Sequence, residues 1–267
     1  FGVCLSNGLP AAADDEESRH LFTYADNPIK RADILDRNGT IIATSLPTVN
    51  LYANPRKVPN KEKAAAKLSA VLPDIRYEDI LAKLRRNTFV YLKRNLTPSQ
   101  QYQINALGIP GLEFENGEKR IYPHKELFAQ LLGSTNIDNQ GIAGIEKQMD
   151  ERLTQSDIPL TLTIDAGLQD TIREELKAAV SKFKAEGAAA IVMDVRSGEI
   201  LAMISLPDYD PNSMNNIPER ALFNFATKGV YEPGSVLKVF NAAMGLESGK
   251  VKVSDKWDAT KPLKLRY

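Results

Sequence analysis

Residues 231–240 read Tyr-Glu-Pro-Gly-Ser-Val-Leu-Lys-Val-Phe, and no other stretch restricts the fold as much. A Pro-Gly turn cannot sit inside a helix, yet Val236, Val239, Phe240, Ala243, Met244 and Leu246 follow at the spacing of a helix entering a core. The spacing therefore predicts a helix that begins at Ser235. In that first turn, free backbone N–H groups and the positive end of the helix dipole favour negative charge on a nearby oxygen. Lys238, three residues on, shares the face of Ser235. An amine beside a hydroxyl is the arrangement for a serine nucleophile with a lysine base, on condition that burial keeps the lysine largely neutral. The same spacing also fits an ordinary helix start with an exposed lysine. A second Ser-x-x-Lys, Ser181 to Lys184, falls late in a charged helix with no turn before it and reads as a solvated face.

Elimination narrows the chemistry further. The 34 Lys and Arg balance the 34 Asp and Glu, so no bulk charge points to nucleic acid. Cys4 is the single cysteine, which excludes an intramolecular disulfide or a cysteine metal cluster. The two histidines, His20 and His124, are far apart in sequence, which disfavours a zinc site or a Ser-His triad and leaves lysine as the base. No cofactor or metal is expected. No apolar run approaches the length of a transmembrane helix, and Phe1 to Leu5 is far too short. The start at Phe1 rather than methionine hints at a preceding segment.

The 267 residues have room for two domains, and the pattern changes after Ser156-Asp157-Ile158-Pro159. Residues 1–30, with their acidic run Asp14 to Glu17, read as an extended approach segment. Two apolar runs around Asn38-Gly39 predict a β-hairpin whose turn residues tolerate positive φ, with Leu51 and Tyr52 starting another short strand. Residues 61–107 read as helical, with a capping box at Thr97 and a stop at Gly108. A strand through Leu112 to Phe114, a basic strand around Lys119 to Pro123 and helices ending at Leu132 and Leu153 follow. Beyond the boundary come a strand over residues 160–164, then a helix capped by Asp165 whose stripe is Leu168, Ile172, Leu176, Val180 and Phe183. A hairpin through Arg196-Ser197-Gly198 comes next, and this order of elements is α+β.

Taken together and in order, these segments resemble the class B penicillin-binding proteins, specifically the division-type (septal) peptidoglycan D,D-transpeptidases in their alphaproteobacterial form. Arg31 to Gly39, Lys119 to Pro123 and Gly141 to Glu146 resemble the three motifs of the family's pedestal, with Ala32 where many members have glycine. Leu162 to Asp165 with Gln169, and Ser197 to Met203, resemble the entry to the transpeptidase domain. Glu232-Pro233-Gly234-Ser235 with Lys238 resembles its nucleophile motif. The resemblance implies a mixed α/β pedestal of the dimerisation type over residues 31–156. The first, incomplete part of a serine β-lactamase-like transpeptidase domain follows over residues 157–267. It also implies that Ser235 attacks the penultimate D-alanine carbonyl of a stem peptide, releases D-alanine and passes the acyl group to an amine on a neighbouring strand. β-Lactams acylate the same serine in this family. Lys238 is then the base, and the Ser235 N–H half of the oxyanion hole.

The family's Ser-x-Asn and Lys-Thr-Gly motifs do not follow Ser235 in this chain, so the expectation is a partial form inactive alone. Two Ser-x-Asn strings, beginning at Ser134 and Ser213, precede Ser235 and read as coincidence. Arg31 and Glu146 fit a buried structural ion pair of the pedestal, and His124 a surface turn residue. Expected partners are stem peptides, β-lactams and division-machinery membrane proteins. The expected location is the periplasmic face of the bacterial inner membrane, through an anchor absent from this chain. A non-catalytic pedestal scaffold is the alternative of a different class, and a serine β-lactamase the less favoured one.

Overall fold

The computed structural model describes residues 30–258 and residue 260. Residues 1–29, which are all of the approach segment except Lys30 and include Cys4 and His20, lie outside the described residues. The chain divides into two units, one ending at Ala226 and the other beginning at Thr227.

The first unit is α+β. Its elements run β1 (Ile34–Leu35), β2 (Ile41–Ala53), α1 (Lys61–Val71), α2 (Tyr77–Leu84), β3 (Val90–Leu96), α3 (Pro98–Ala106) and β4 (Leu112–Ile121). Then come α4 (Ala129–Leu132), α5 (Gly144–Gln148), α6 (Asp150–Gln155), β5 (Leu160–Thr161), α7 (Ala166–Phe183), β6 (Ala188–Met193), β7 (Ile200–Leu206) and α8 (Glu219–Leu222). α9 (Phe225–Lys228) follows.

The expected hairpin forms between β1 and β2, but by a longer turn than Asn38-Gly39 alone would make. Asp36 accepts from the N–H groups of Asn38 and Thr40, its own N–H donates to the Thr40 carbonyl, and only Gly39 takes positive φ, at 86°. Asp36 also accepts from Ala166 N–H at the start of α7. One side chain thus fixes a turn and a helix entry 130 residues away. Burial raises the Asp36 carboxyl pKa, but the N–H donors of Thr40, Ala166 and Asn38 outweigh it and hold the group below its usual value.

Leu51 and Tyr52 do not start a new strand; β2 runs unbroken over thirteen residues and pairs with β1, β3 and β4. β3 lies inside the stretch expected to be helical. Its Val90 and Leu92 alternate with Tyr91 and Lys93, and the shorter period wins because pairing with β2 buries the apolar pair under α1 and α2. Leu68, Leu72, Ile80, Leu84 and Ile104 complete that core. The capping box at Thr97 forms as expected, its side chain accepting from Gln100 N–H while Gln100 Oε1 accepts from Thr97 N–H.

A second core holds Ile34, Ile42, Tyr122, Phe128, Leu132, Leu153, Leu160 and Ile164. β5 pairs parallel with β1 here, so the sheet continues across the pattern change after residue 156. Past it, Asp165 caps α7 by accepting from Leu168 N–H, and Leu168, Ile172, Leu176 and Val180 pack on Ala202, Ile204 and Leu206. Phe183 leaves the expected stripe and is exposed, because the helix ends there at a left-handed Lys184. Ser181 and its neighbours to Lys184 are exposed, as a solvated helix end should be.

Candidate active site

Among the described residues of the second unit, a tight turn leads into its longest helix. Pro233 (φ −71°) sets the entry, and Gly234 takes φ +53°, a left-handed value that L side chains adopt at a cost. A Cβ there would meet nothing within 4 Å, so the backbone angle and not crowding asks for glycine. A 3-10 turn over Gly234–Val236 then leads into α10 (Leu237–Glu247). Val236 N–H donates to the Pro233 carbonyl at 3.1 Å, which closes the turn. Ser235 therefore sits in the tight turn and Lys238 one turn on, at the start of the α-helix. The Ser235 N–H donates no backbone hydrogen bond among the described residues, as expected of an N-terminal orphan donor.

Both the candidate pair and its helix lie open in this unit. Ser235 and Lys238 are both exposed, and no hydrogen bond joins their side chains among the described residues. The helix also enters no core here: Val239 is 69 % exposed and Phe240 61 %. Val236, Met244 and Leu246 are exposed along the same helix, while Val251 approaches it at Gly245.

The first unit gathers polar groups of a different kind. Glu146, fully buried, accepts from Arg31 Nε (2.8 Å) through Oε2 and from Arg120 Nε (2.7 Å) through Oε1. Arg31 also reaches the Glu146 carbonyl (2.8 Å) and Asp150 Oδ1 (2.6 Å), and Arg120 donates to the Ala32 carbonyl (2.9 Å). Two guanidinium groups thus face two carboxyl groups, Glu146 buried and Asp150 partly exposed. Burial raises the Asp150 pKa, but the Gly141 N–H and the Arg31 guanidinium hold it below its usual value. Burial, then the Glu146 charge, pushes the neighbouring Tyr122 phenol far above its normal range and keeps it neutral.

The expected Arg31–Glu146 pair is thus present and buried. Arg120 and Asp150 were not foreseen as its partners. The period-two relation of Arg120 to Tyr122, which places both on one strand face, is the signal that could have found Arg120. The glycines of residues 141–146 follow from the same packing. A Cβ on Gly141 would stand 2.0 Å from the Glu146 carbonyl oxygen, and one on Gly144 (φ +59°) 2.5 Å from the Leu132 backbone. Ser134 and Ser213 lie in loops of this unit, and His124 is half-buried with its ring edge-on to Phe128 at 5.5 Å. No group of three or more metal-ligating side chains occurs among the described residues, and none of their helices is long and apolar enough to cross a membrane.

An α+β unit locked by a buried charge cluster, followed by a Pro-Gly-Ser helix start, defines a class of protein, and comparison with known families gives it a name. The model of the penicillin-binding protein dimerisation domain matches residues 26–166, and that of the penicillin-binding protein transpeptidase domain matches residues 188–264. The chain belongs to the penicillin-binding proteins. Within that family it is similar to a probable peptidoglycan D,D-transpeptidase FtsI of Caulobacter vibrioides, with 34% identity over 89% of this chain and 41% of the relative. It is 32% identical to the peptidoglycan D,D-transpeptidase FtsI of Escherichia coli K12, over 83% of this chain and 43% of that protein. Among solved structures, a peptidoglycan synthetase of Bifidobacterium adolescentis superposes with a TM-score of 0.58 at 26% identity, covering 88% of this chain and 54% of that one. The chain spans less than half the length of these two curated relatives.

Proposed function

We propose that this chain is part of a septal peptidoglycan D,D-transpeptidase, with Ser235 as its nucleophile and Lys238 as its base. The observation that carries the reading is the turn itself. Gly234 at positive φ opens a 3-10 turn that holds Ser235 and leads into a helix with Lys238 in its first turn, inside the stretch that matches the transpeptidase family model. Ser235 Oγ attacks the carbonyl carbon of the penultimate D-alanine while its proton passes to Lys238 Nζ. The tetrahedral oxyanion is met by backbone donors, the Ser235 N–H among them. Collapse breaks the peptide bond, and the D-alanine amine leaves with the proton from Lys238. An amine of a neighbouring strand then attacks the ester, restores the serine hydroxyl and completes the cross-link. A β-lactam enters by the same first step and stays as the acyl-enzyme.

In this reading residues 31–156 are the pedestal and residues 157–267 the opening part of the catalytic domain. The protein works at the periplasmic face of the inner membrane among division proteins. The test is fluorescent-penicillin labelling of the whole gene product, with the modified residue located by peptide mass spectrometry. The label is expected on Ser235 and should vanish in Ser235→Ala. Labelling of another residue, or none, overturns the assignment.

A further inference from the structure

The sheet of the first unit carries a second polar site on its outer face. There Tyr52, Tyr91 and the exposed Phe89 cluster, with Tyr52–Phe89 and Phe89–Tyr91 centroids 4.6 and 5.1 Å apart. The Arg94 guanidinium lies over Tyr91 at 4.5 Å and also lines an adjoining cleft of about 680 Å³. That volume is within the range of about 300–1,000 Å³ usual for small-molecule sites. The lining is mixed, with Pro47 and Ile137 beside the carboxamides of Asn50, Asn95, Asn116, Asn139 and Gln140. Asn50 on β2 is two residues from Tyr52, hence on the same face of the strand.

The amide groups are arranged as unspent donors and one unspent acceptor. Asn50 Oδ1 accepts from Asn95 N–H (3.1 Å), and Asn95 Oδ1 from Thr48 (3.0 Å), which leaves both NH₂ groups as donors. Asn139 Nδ2 donates to Glu118 (3.3 Å), whereas its Oδ1 is buried and accepts from no described residue. The cations of the cleft are each paired: Arg94 with Asp138, Lys30 with Asp33, and Arg31 with Glu146 and Asp150, while Glu118 accepts from Arg31 N–H and from Asn139. A neutral cleft gives an anion no advantage, and a mixed lining with five carboxamides favours a ligand that offers hydrogen-bonding groups as well as an apolar face. What fits is a neutral ligand with many hydroxyl and amide groups and an apolar C–H face to lay on the aromatic rings.

We infer that this face binds a glycan of N-acetylated amino sugars, with the carboxamides taking hydroxyl and acetamido groups and Phe89 stacking on a sugar ring. The chemistry of the cleft stands by itself, while identifying the glycan as the strand of the cell wall rests on the proposed function. The probe is a tetrasaccharide of β-1,4-linked N-acetylglucosamine, titrated into the chain and followed by calorimetry and amide NMR. Saturable binding is expected, with shifts at Asn50, Asn95 and Asn116. Phe89→Ala and Asn116→Ala should each weaken it about fivefold, the effect of one contact of roughly 1 kcal/mol. Tyr102→Ala, an exposed aromatic on α3, should leave it unchanged. Unaltered thermal melts of the variants exclude misfolding. No saturable binding, binding that neither cleft variant weakens, or displacement of the sugar by a free stem peptide overturns the inference. Labelling of Ser235 without sugar binding sinks this inference alone. Sugar binding without labelling sinks the proposed function alone.

Discussion

The charge cluster of the first unit and the Ser235 turn of the second are both polar constellations, yet they are built oppositely. Around Glu146 two arginines are 1 % and 5 % exposed, and the backbone is brought close by glycines that admit no Cβ. Glu146 pairs with residues 31 and 120, and residue 31 also with 150, so the cluster ties the first segment of the unit to its middle. Around Ser235 the contacts are local, the side chains exposed, and the one backbone device is a left-handed glycine with open space beside it. A polar group that holds a fold must be buried and paired. One that reacts must keep a donor or a lone pair unspent for a substrate. The Ser235 N–H, idle in its turn, has that second character.

The contrast breaks first at Glu146. Glu146→Ala leaves two buried guanidinium groups facing each other without their shared carboxylate, and should cost about 3–5 kcal/mol in urea-induced unfolding. A loss below about 1 kcal/mol, the range of a surface pair, would show that the cluster does not hold the unit together. Next is Gly144→Ala, which combines a positive φ with a Cβ against the Leu132 backbone. Strain of this kind costs about 1–3 kcal/mol, read as a fall in the thermal midpoint, and an unchanged midpoint would mean the two segments separate freely.

Acid sharpens the comparison at Asp36 and Asp150. Both carboxyls have pKa values lowered by folding, so each contributes stability that is complete above the ordinary carboxylate value near 4. That contribution disappears as pH falls through the lower folded value, because the unfolded chain then binds the extra protons. Stability measured from pH 6 down to 2 should therefore drop, and Asp36→Asn should flatten the curve as well as lower it at neutral pH. A curve of the same slope in the variant would remove Asp36 as a source of the pH dependence.

What was legible in the sequence was whatever depends on neighbours in the chain. The Thr97 capping box, the Asp165 cap, the hairpin at residues 196–198 and the break at Pro233-Gly234 are all local signals, and all are present. β3 was misread because Val90 and Leu92 sit among helical residues, and only pairing with β2 decides between the two periods. The partners Arg120 and Asp150, and the double role of Asp36, depend on contacts made across many residues. No window along the chain contains them. The core expected under α10 is a related case: apolar spacing tells which face of the helix is to be covered and does not itself supply the covering layer, and Val239 and Phe240 are exposed.

The smallest effect on stability is expected where the proposed effect on chemistry is largest. Ser235→Ala removes an exposed hydroxyl that caps nothing, since no side-chain cap bond is made at this turn. Its cost should stay within about 0.5 kcal/mol, as for surface changes away from special features. Lys238→Met should do the same, because an exposed lysine in the first turn of α10 even opposes the helix dipole. Both variants should abolish penicillin labelling of the whole gene product while their melting curves overlay the parent. If Ser235→Ala instead unfolds the protein, the hydroxyl is structural and the contrast with Glu146 collapses. If labelling survives in Lys238→Met, the base lies elsewhere and the turn presents only the nucleophile.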